Sequence, residues 1–478
     1  MSIETLTTTF AEGRAVTIPR EMLEHLKELV GARFVLNHAT EMLPYEADGL
    51  TEFRTPPALV VLPKTAEQVQ ECVKTCVRFG FPFTARGAGT GLSGGAVPAP
   101  GGVVISLSRM NRILEVNYQD RTAIVEPGVL NLELSELTSP QGFVFMPDPA
   151  SQPACTLGGN IGENAGGPHC LKYGVMVNHV RALEVVTPTG DLVTLGGAGG
   201  DAVGYDLMGL FIGSEGTFGI ATRLFLRLER APEAVRTVLA DYTSIAEACQ
   251  TVSDIIAGGM VPTALEIMDR RTIGTVEASA LAAGYPVDAE AVLIIEVDGL
   301  PYSLDDQVDR ITEICRRNGA RSVRFASDES ERKRLWAGRK AAFGASGRIS
   351  PDLLVQDAVV PRTRLAEIVP RITEICDRHG VKVSNVFHAG DGNLHPNIGY
   401  DRRNTEEARR VKDALAEIMA VCVATGGTIT GEHGVGLEKV DFMPLYFDRA
   451  TREAMLRVRS VWDPTGLCNP GKVLSSQD

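Results

Sequence analysis

RGAGTGLSGGAVP, residues 86–98, is the stretch on which the fold turns. It contains a literal GxGxxG, formed by Gly89, Gly91 and Gly94. A dinucleotide-binding Rossmann unit needs a helix to begin inside that motif, so that its N-terminal amides meet the pyrophosphate. Here Ala96–Gly102 reads AVPAPGG and cannot start a helix, and the β-branched run Val103–Leu107 predicts a strand instead. No acidic residue closes a second strand about twenty residues on, and no Lys-Ser/Thr pair follows the glycines, so neither a Rossmann site nor a P-loop fits. Glycine-rich backbone still binds diphosphate without a helix, because successive N–H groups curl around an anion and bare backbone allows close approach. Arg86 adds charge at the loop's entrance.

Upstream, residues 20–30 predict an amphipathic helix with Leu23, Leu26 and Leu29–Val30 on one face. Ala58–Leu62 reads as a strand ended by Pro63, Thr65 and Gln68 as a capping box for a helix over 66–79, and Phe81–Ala85 as a second strand. Downstream come strands near 113–117 and 122–126 and a short helix Asn131–Leu137. The stretch PDPASQPACTLGGNIGENAGGPHCLKYG, 147–174, reads as almost all loop. Strands at 181–186 and 191–195 precede a third glycine loop, GSEGTFGI, at 213–220. Three such loops exceed what ordinary turns require. Beyond about 230 the texture changes. Helix 302–318 leads to a strand at 321–325, and helix 362–379 to Val381–Phe387, with a further strand at Ala291–Val297, which predicts an α+β domain. The tail DPTGLCNPGK, 463–472, is glycine- and proline-rich again and stands apart from that domain.

A chain of 478 residues outgrows one ordinary core, so two or three domains are expected. The net charge of −13 argues against a nucleic-acid surface. Nine dispersed cysteines without a CxxC pair predict reduced thiols, no iron–sulfur cluster and a cytoplasmic setting, with Cys72 and Cys76 stacked on one helix face. The opening MSIETLTTTFAEG lacks a signal pattern, and no apolar run approaches the ~20 residues of a membrane span, so membrane contact is expected only through partners.

The chemistry points to HAGDGNLHPN, 388–397, and GEHGVG, 431–436. His388, His395 and a carboxylate are the ligands of a metal with one position open; zinc suits them first, and manganese or iron also fits. Glu432 and His433 are adjacent, so if extended one meets metal and the other substrate. Asp391 competes as a ligand, although a turn carboxylate bonding nearby amides is the plainer reading. An acid substrate needs a cationic fork, for which Arg339 is the choice, with Lys340 and Arg348 as alternatives.

The ordered set RGAGTGLSGG, DPASQPACTLGGNIGENAGGPHCLKYG and GSEGTFGI resembles the FAD-binding domain of the vanillyl-alcohol-oxidase/p-cresol-methylhydroxylase (PCMH) superfamily. With WAGRKAAFGASGRISPD, NVFHAGDGNLHP, GEHGVGLEK and DPTGLCNPGK, the chain from about 40 to 475 resembles its D-2-hydroxy acid dehydrogenase branch. That branch holds glycolate oxidase flavin subunits, which these motifs resemble most, and D-lactate and D-2-hydroxyglutarate dehydrogenases. The resemblance implies an α+β fold: an N-terminal helical segment (1–50), a two-subdomain FAD-binding PCMH-type domain (51–230), an α+β substrate and metal cap (231–440) and a C-terminal segment returning to the FAD domain (441–478). It implies FAD contacts from Arg86, Gly87, Ala88, Gly89, Thr90, Gly91, Leu92, Ser93, Pro147, Asp148, Thr156, Gly158, Gly159, Asn160, Asn164, Ala165, Gly166, Gly167, Glu215, Gly216, Gly219, Ile220 and Asn469. It assigns His388, His395 and Glu432 to the metal, His433 to proton abstraction and Asn397 to substrate contact. The FAD is expected to be non-covalent, because none of His25, His38, His169 and His179 lies in the first loop. FAD and metal are expected on opposite sides of the substrate's Cα. The expected reaction is oxidation of a short D-2-hydroxy acid, glycolate before D-lactate, to the 2-oxo acid. Val355 stands where the hydroxyglutarate enzyme has a lysine, which disfavours a dicarboxylate. Expected partners are a second FAD-domain subunit and an iron–sulfur subunit, with a homodimer as a further possibility. The alternatives are a stand-alone D-lactate or D-2-hydroxyglutarate dehydrogenase, an oxygen-using flavin oxidase and a non-catalytic flavin-binding subunit.

Overall fold

In the computed structural model, which describes residues 6–9, 15–50, 52–197, 199, 203–348 and 350–475, the apolar run before Pro63 forms the fully buried strand Leu59–Val61. Thr65 starts the helix Ala66–Phe79, its Oγ1 accepting the N–H of Gln68 at 3.3 Å. Gln68 reaches back to the N–H of Lys64 at 2.7 Å, one residue earlier than a capping box requires. Gly80 ends the helix in the left-handed region (φ 70°), and the strand Phe83–Arg86 follows. This crossover makes the pairing parallel: Val103–Ser106 lies between Leu59–Val61 and Phe83–Arg86, parallel to both, with Val35–Leu36 antiparallel at the edge. Cys72 and Cys76 pack inward from the helix, and among the described residues all nine cysteines are free thiols.

A second sheet of the same unit is wholly antiparallel, in the order Leu192–Gly196, Val180–Val186, Ile220–Arg227, Thr122–Val125 and Ile113–Asn117. Leu183, Val185, Leu224 and Leu226 from it form a core with Leu157 and Ile161. Those last two residues correct the loop reading of 147–174. Leu157–Glu163 is a helix, despite three glycines, and Cys170–Tyr173 a further turn of helix. Thr156 caps the first by accepting the N–H of Gly159, and Asn164 closes it in the left-handed region (φ 52°). Gly158 is required by packing: a Cβ there would stand 2.5 Å from Pro127.

The chain divides into two units, Met1–Ala165 with Val175–Ala231 and His433–Asp478, and Gly166–Gly174 with Pro232–Glu432. In the first, the tail pairs with the parallel sheet through Cys468 and Phe83. The second is built on one antiparallel sheet, ordered Ser322–Phe325, Ala234–Tyr242, Ala291–Gly299, Ala264–Asp269, Lys382–His388, Asn393–Leu394 and Ala358–Val359. Pro396–Tyr400 extends it by pairing with both Lys382–His388 and Asp352–Val355. Ala291–Asp298 is buried at every position, because helices cover both faces. Arg270–Glu277 and Glu329–Ser346 pack on one face through Ile273, Val276, Leu335 and Trp336. Ile245–Ala257, Pro301–Arg317 and Leu365–Arg378 lie against the strands as well. The architecture is α+β. Among the described residues, no helix is long and apolar enough to cross a membrane.

Candidate active site and cofactor loops

The strand Lys382–His388 ends at His388, and Asn393 pairs back onto that residue, so the intervening turn returns His395 toward it. The turn demands Gly392 (φ 82°): a Cβ there would lie 2.1 Å from the carbonyl oxygen of Val360. Asp391 accepts the N–H of Asn393 at 3.2 Å, the turn role, and stands outside the ligand cluster. That cluster is His388, His395 and Glu432, whose candidate donor atoms all lie within 4.8 Å of one another. The Nε2 atoms of His388 and His395 are 3.3 and 3.2 Å from the same Glu432 oxygen, and the two rings meet edge-on at 5.1 Å.

Two further buried carboxylates hold this cluster, and the sequence reading missed both. Asp357 accepts the Thr430 hydroxyl at 2.6 Å and the N–H groups of Gly431 and Glu432 at 3.0 and 3.2 Å, so it aims Glu432. It also lies 3.9 Å from Nδ1 of His395. Glu266, fully buried and opposite His388 in the sheet register, takes the Nδ1 of that histidine at 2.7 Å. Burial pushes the Glu266 carboxyl up, but Arg339 and His388 outweigh it and hold the group below the usual carboxylate range. Glu432 is likewise held well below that range, with His388 and His395 overcoming the cost of burial. Burial depresses the His388 imidazole, and Glu266 and Glu432 more than reverse that, raising it well above its ordinary value. The pocket therefore favours positive charge flanked by two ionised carboxylates. Two buried imidazole nitrogens and one carboxylate oxygen, with a hydrogen-bonded carboxylate behind the first imidazole, fit a divalent metal.

Of the three candidate clamps, only Arg339 is buried; Lys340 and Arg348 are exposed on or beyond the same helix. Arg339 is already engaged: its Nε and Nη2 lie 2.7 and 2.5 Å from one Glu266 oxygen. Asn397 is buried and donates from Nδ2 to the carbonyl of His395 at 3.1 Å, while its Oδ1 has no protein partner. Val355, also buried, is its cross-strand partner and so shares its face of the sheet.

In the first unit the glycine loops meet one another. Arg86 is turned inward onto the carbonyls of Pro44 (2.9 Å) and Ala96 (3.4 Å), so its charge anchors the first loop from beneath. Gly87 lies where a Cβ would be 2.2 Å from Thr156 Oγ1, which sets the first loop against the cap of the helix Leu157–Glu163. Ala88, Thr90, Gly91 and Leu92 continue that first loop. Asn160 accepts from Asn131, and that asparagine also donates to the carbonyl of Pro147, beside the buried Asp148. Asn164 receives the N–H of Val177, and Ala165 is buried next to it. Gly166 and Gly167 follow Ala165 in the chain and open the short segment Gly166–Gly174 of the second unit. Gly219 (φ 117°) leads into the buried Ile220.

Asn469 staples the first and third loops. It donates to the carbonyls of Gly95 and Glu215 at 3.0 and 2.7 Å and accepts from Thr84. Both of its amide donors face protein, so its part in any cofactor site is to hold those loops together. Glu215, preceding Gly216 in the third loop, receives the N–H groups of Val435 and Gly436, both at 2.6 Å, and so shapes the turn that follows His433. Buried hydroxyls of Ser93 and Ser214, in the first and third loops, have no protein partner. Bare glycine backbone with unsatisfied buried hydroxyls fits a phosphate-bearing cofactor.

Residues 57–196 match the model of an FAD binding domain, and residues 231–473 that of the FAD linked oxidases, C-terminal domain. The chain is 44% identical over 451 residues to glycolate oxidase subunit GlcD of Escherichia coli (strain K12), covering 94% of this chain and 90% of that protein. It is 34% identical over 462 residues to D-lactate dehydrogenase of Anaerostipes hadrus, covering 95% and 97%. Among solved structures, p-cresol methylhydroxylase with substrate bound superposes with a TM-score of 0.78 at 17% identity, covering 95% of this chain and 96% of that one, a likeness of fold.

Proposed function

The chain belongs to the family of FAD-linked oxidases, and from that premise we propose that it oxidises a short 2-hydroxy acid, glycolate first and D-lactate next, to the 2-oxo acid. The observation that carries this reading is the convergence of His388, His395 and Glu432, with Glu266 joining His388 to Arg339. When bound, a divalent metal supplies a Lewis acid that acidifies the substrate's α-hydroxyl, and FAD supplies the hydride acceptor. His388, His395 and Glu432 hold the metal, zinc before manganese or iron. Arg339 offers the substrate carboxylate the end of its guanidinium that Glu266 leaves over, orienting the acid. Asn397 contributes its carboxamide to the substrate. His433, next to Glu432 in the chain, takes the hydroxyl proton as general base. Val355, beside Asn397 in the sheet, supplies no charge for a second carboxylate, so a monocarboxylate fits better.

The first-unit loops hold FAD without a covalent link. No cysteine pair of this chain suits an iron–sulfur cluster, so electrons leave to another carrier. The E. coli relative is named a glycolate oxidase subunit, which favours partner subunits; a second FAD-domain subunit and an iron–sulfur subunit in the cytoplasm are the ones the family resemblance implies. The A. hadrus relative supports a second reading, a D-lactate dehydrogenase working alone. Anaerobic bleaching of bound flavin by glycolate, D- and L-lactate, D-2-hydroxyglutarate and D-mandelate separates them. Glycolate should bleach fastest and D-2-hydroxyglutarate slowest. A strong preference for D-lactate would favour the second reading, and bleaching by none of them would refute both.

A further inference from the structure

The two oxygens of the Glu266 carboxylate meet two different functional candidates. Oε1 lies 2.7 Å from His388 Nδ1, and Oε2 lies 2.7 Å from Arg339 Nε and 2.5 Å from Arg339 Nη2. The carboxylate is fully buried on the strand Ala264–Asp269, so it has no water to fall back on and its geometry is dictated by these partners. We propose that Glu266 is a positioning residue that couples the metal ligand His388 to the substrate arginine Arg339; the inference rests on the function proposed above.

On the His388 side, engaging Nδ1 as a donor leaves Nε2, 3.3 Å from Glu432, as the nitrogen that would face a metal once its proton is displaced. On the Arg339 side, occupying Nε and Nη2 takes one edge of the fork and leaves the Nη1 end for an incoming carboxylate. One rigid carboxylate thus sets the ring that binds the hydroxyl's metal and the fork that binds the same substrate's carboxylate, and it fixes the two relative to each other. Arg339 in turn supplies the counter-charge that lets Glu266 stay ionised while buried. A lysine at 339 would lack the two separate planar edges that let one side chain hold Glu266 and the substrate carboxylate at fixed angles.

The test uses the flavin-loaded full chain, with zinc affinity read by chelator competition and glycolate KM and kcat read by anaerobic flavin reduction. Glu266→Gln should weaken zinc binding by about 10–100-fold and raise KM. Arg339→Leu, which changes none of the three candidate ligands, should also weaken zinc binding severalfold. In the double variant that loss should not recur, because the coupling is already gone. Glu296→Gln, which removes the other buried glutamate of this sheet face, should lower thermal stability while leaving zinc affinity and KM unchanged. If Glu266→Gln does not accumulate as folded protein, the Arg339→Leu arm alone decides. Unchanged zinc affinity in Arg339→Leu, or in a folded Glu266→Gln, overturns the coupling while a zinc-binding, glycolate-reducible wild type leaves the proposed function standing. A wild type that neither binds zinc nor bleaches overturns both.

Discussion

Glu266 and Glu296 occupy adjacent central strands of one sheet, and the difference between them separates a buried charge that reaches the candidate site from one held by other partners. Glu266 pairs across the sheet with Ile294, two residues from Glu296, so both carboxylates rise from the same face. Both are met by one helix, Glu329–Ser346, through Arg339 in one case and Trp336 in the other. Both meet a histidine: His388 for Glu266, and His169 at 3.5 Å for Glu296. There the likeness ends. Glu296 also accepts the Thr237 hydroxyl at 2.7 Å and the Trp336 Nε1–H at 2.6 Å, and Arg332 reaches it at 3.4 Å with its own side chain partly in solvent. Thr237, Trp336 and Arg332 are not members of the metal-ligand candidates, and Arg332 goes on to the exposed Glu329. The histidine of Glu266 goes on to a third carboxylate, Glu432, and to His395. A satisfied buried acid is architecture, whereas one that passes its geometry to an ionised cluster is part of a site.

Variants that break this comparison should differ in size as well as kind. Glu266→Gln leaves Arg339 buried without its counter-charge and should cost about 3–5 kcal/mol of stability by denaturant titration, with loss of glycolate-driven bleaching. Glu296→Gln removes charge-assisted bonds but leaves a partly solvated arginine, so about 2–3 kcal/mol is expected, with bleaching retained. Trp336→Phe deletes one donor to Glu296 and should cost about 1.5 kcal/mol. Thr237→Val deletes the hydroxyl donor and should cost about 1 kcal/mol. Equal loss of bleaching in the Glu266 and Glu296 variants would erase the distinction.

Much of the fold was legible because local chemistry and tertiary context agree. The helix Ala66–Phe79 follows from Thr65 and the spacing of Val69, Cys72, Val73 and Cys76. The helix Leu157–Glu163 was hidden because glycine is a poor helix former, and only packing of Gly158 against Pro127 explains its use there. The candidate ligand cluster is visible in two glycine-flanked motifs, since its members sit at a strand end and near turns. Its supporting acids were not. Glu266 in ALEIMD and Glu296 in VLIIEVDG each show one signal, an acid flanked by apolar residues inside a strand, which must find a partner when buried. That signal could have found both, but it could not say which one leads to the site, because the partners lie far apart in sequence. Arg339 was singled out for its charge, and its engagement with Glu266 depends on a strand about seventy residues earlier.

Metal dependence of substrate oxidation is tested most directly by anaerobic bleaching of the bound flavin by glycolate, measured before metal stripping, after stripping with FAD retained, and after zinc is restored. Bleaching should be lost on stripping and return with zinc. Stripped, FAD-replete protein that bleaches at the original rate would contradict it.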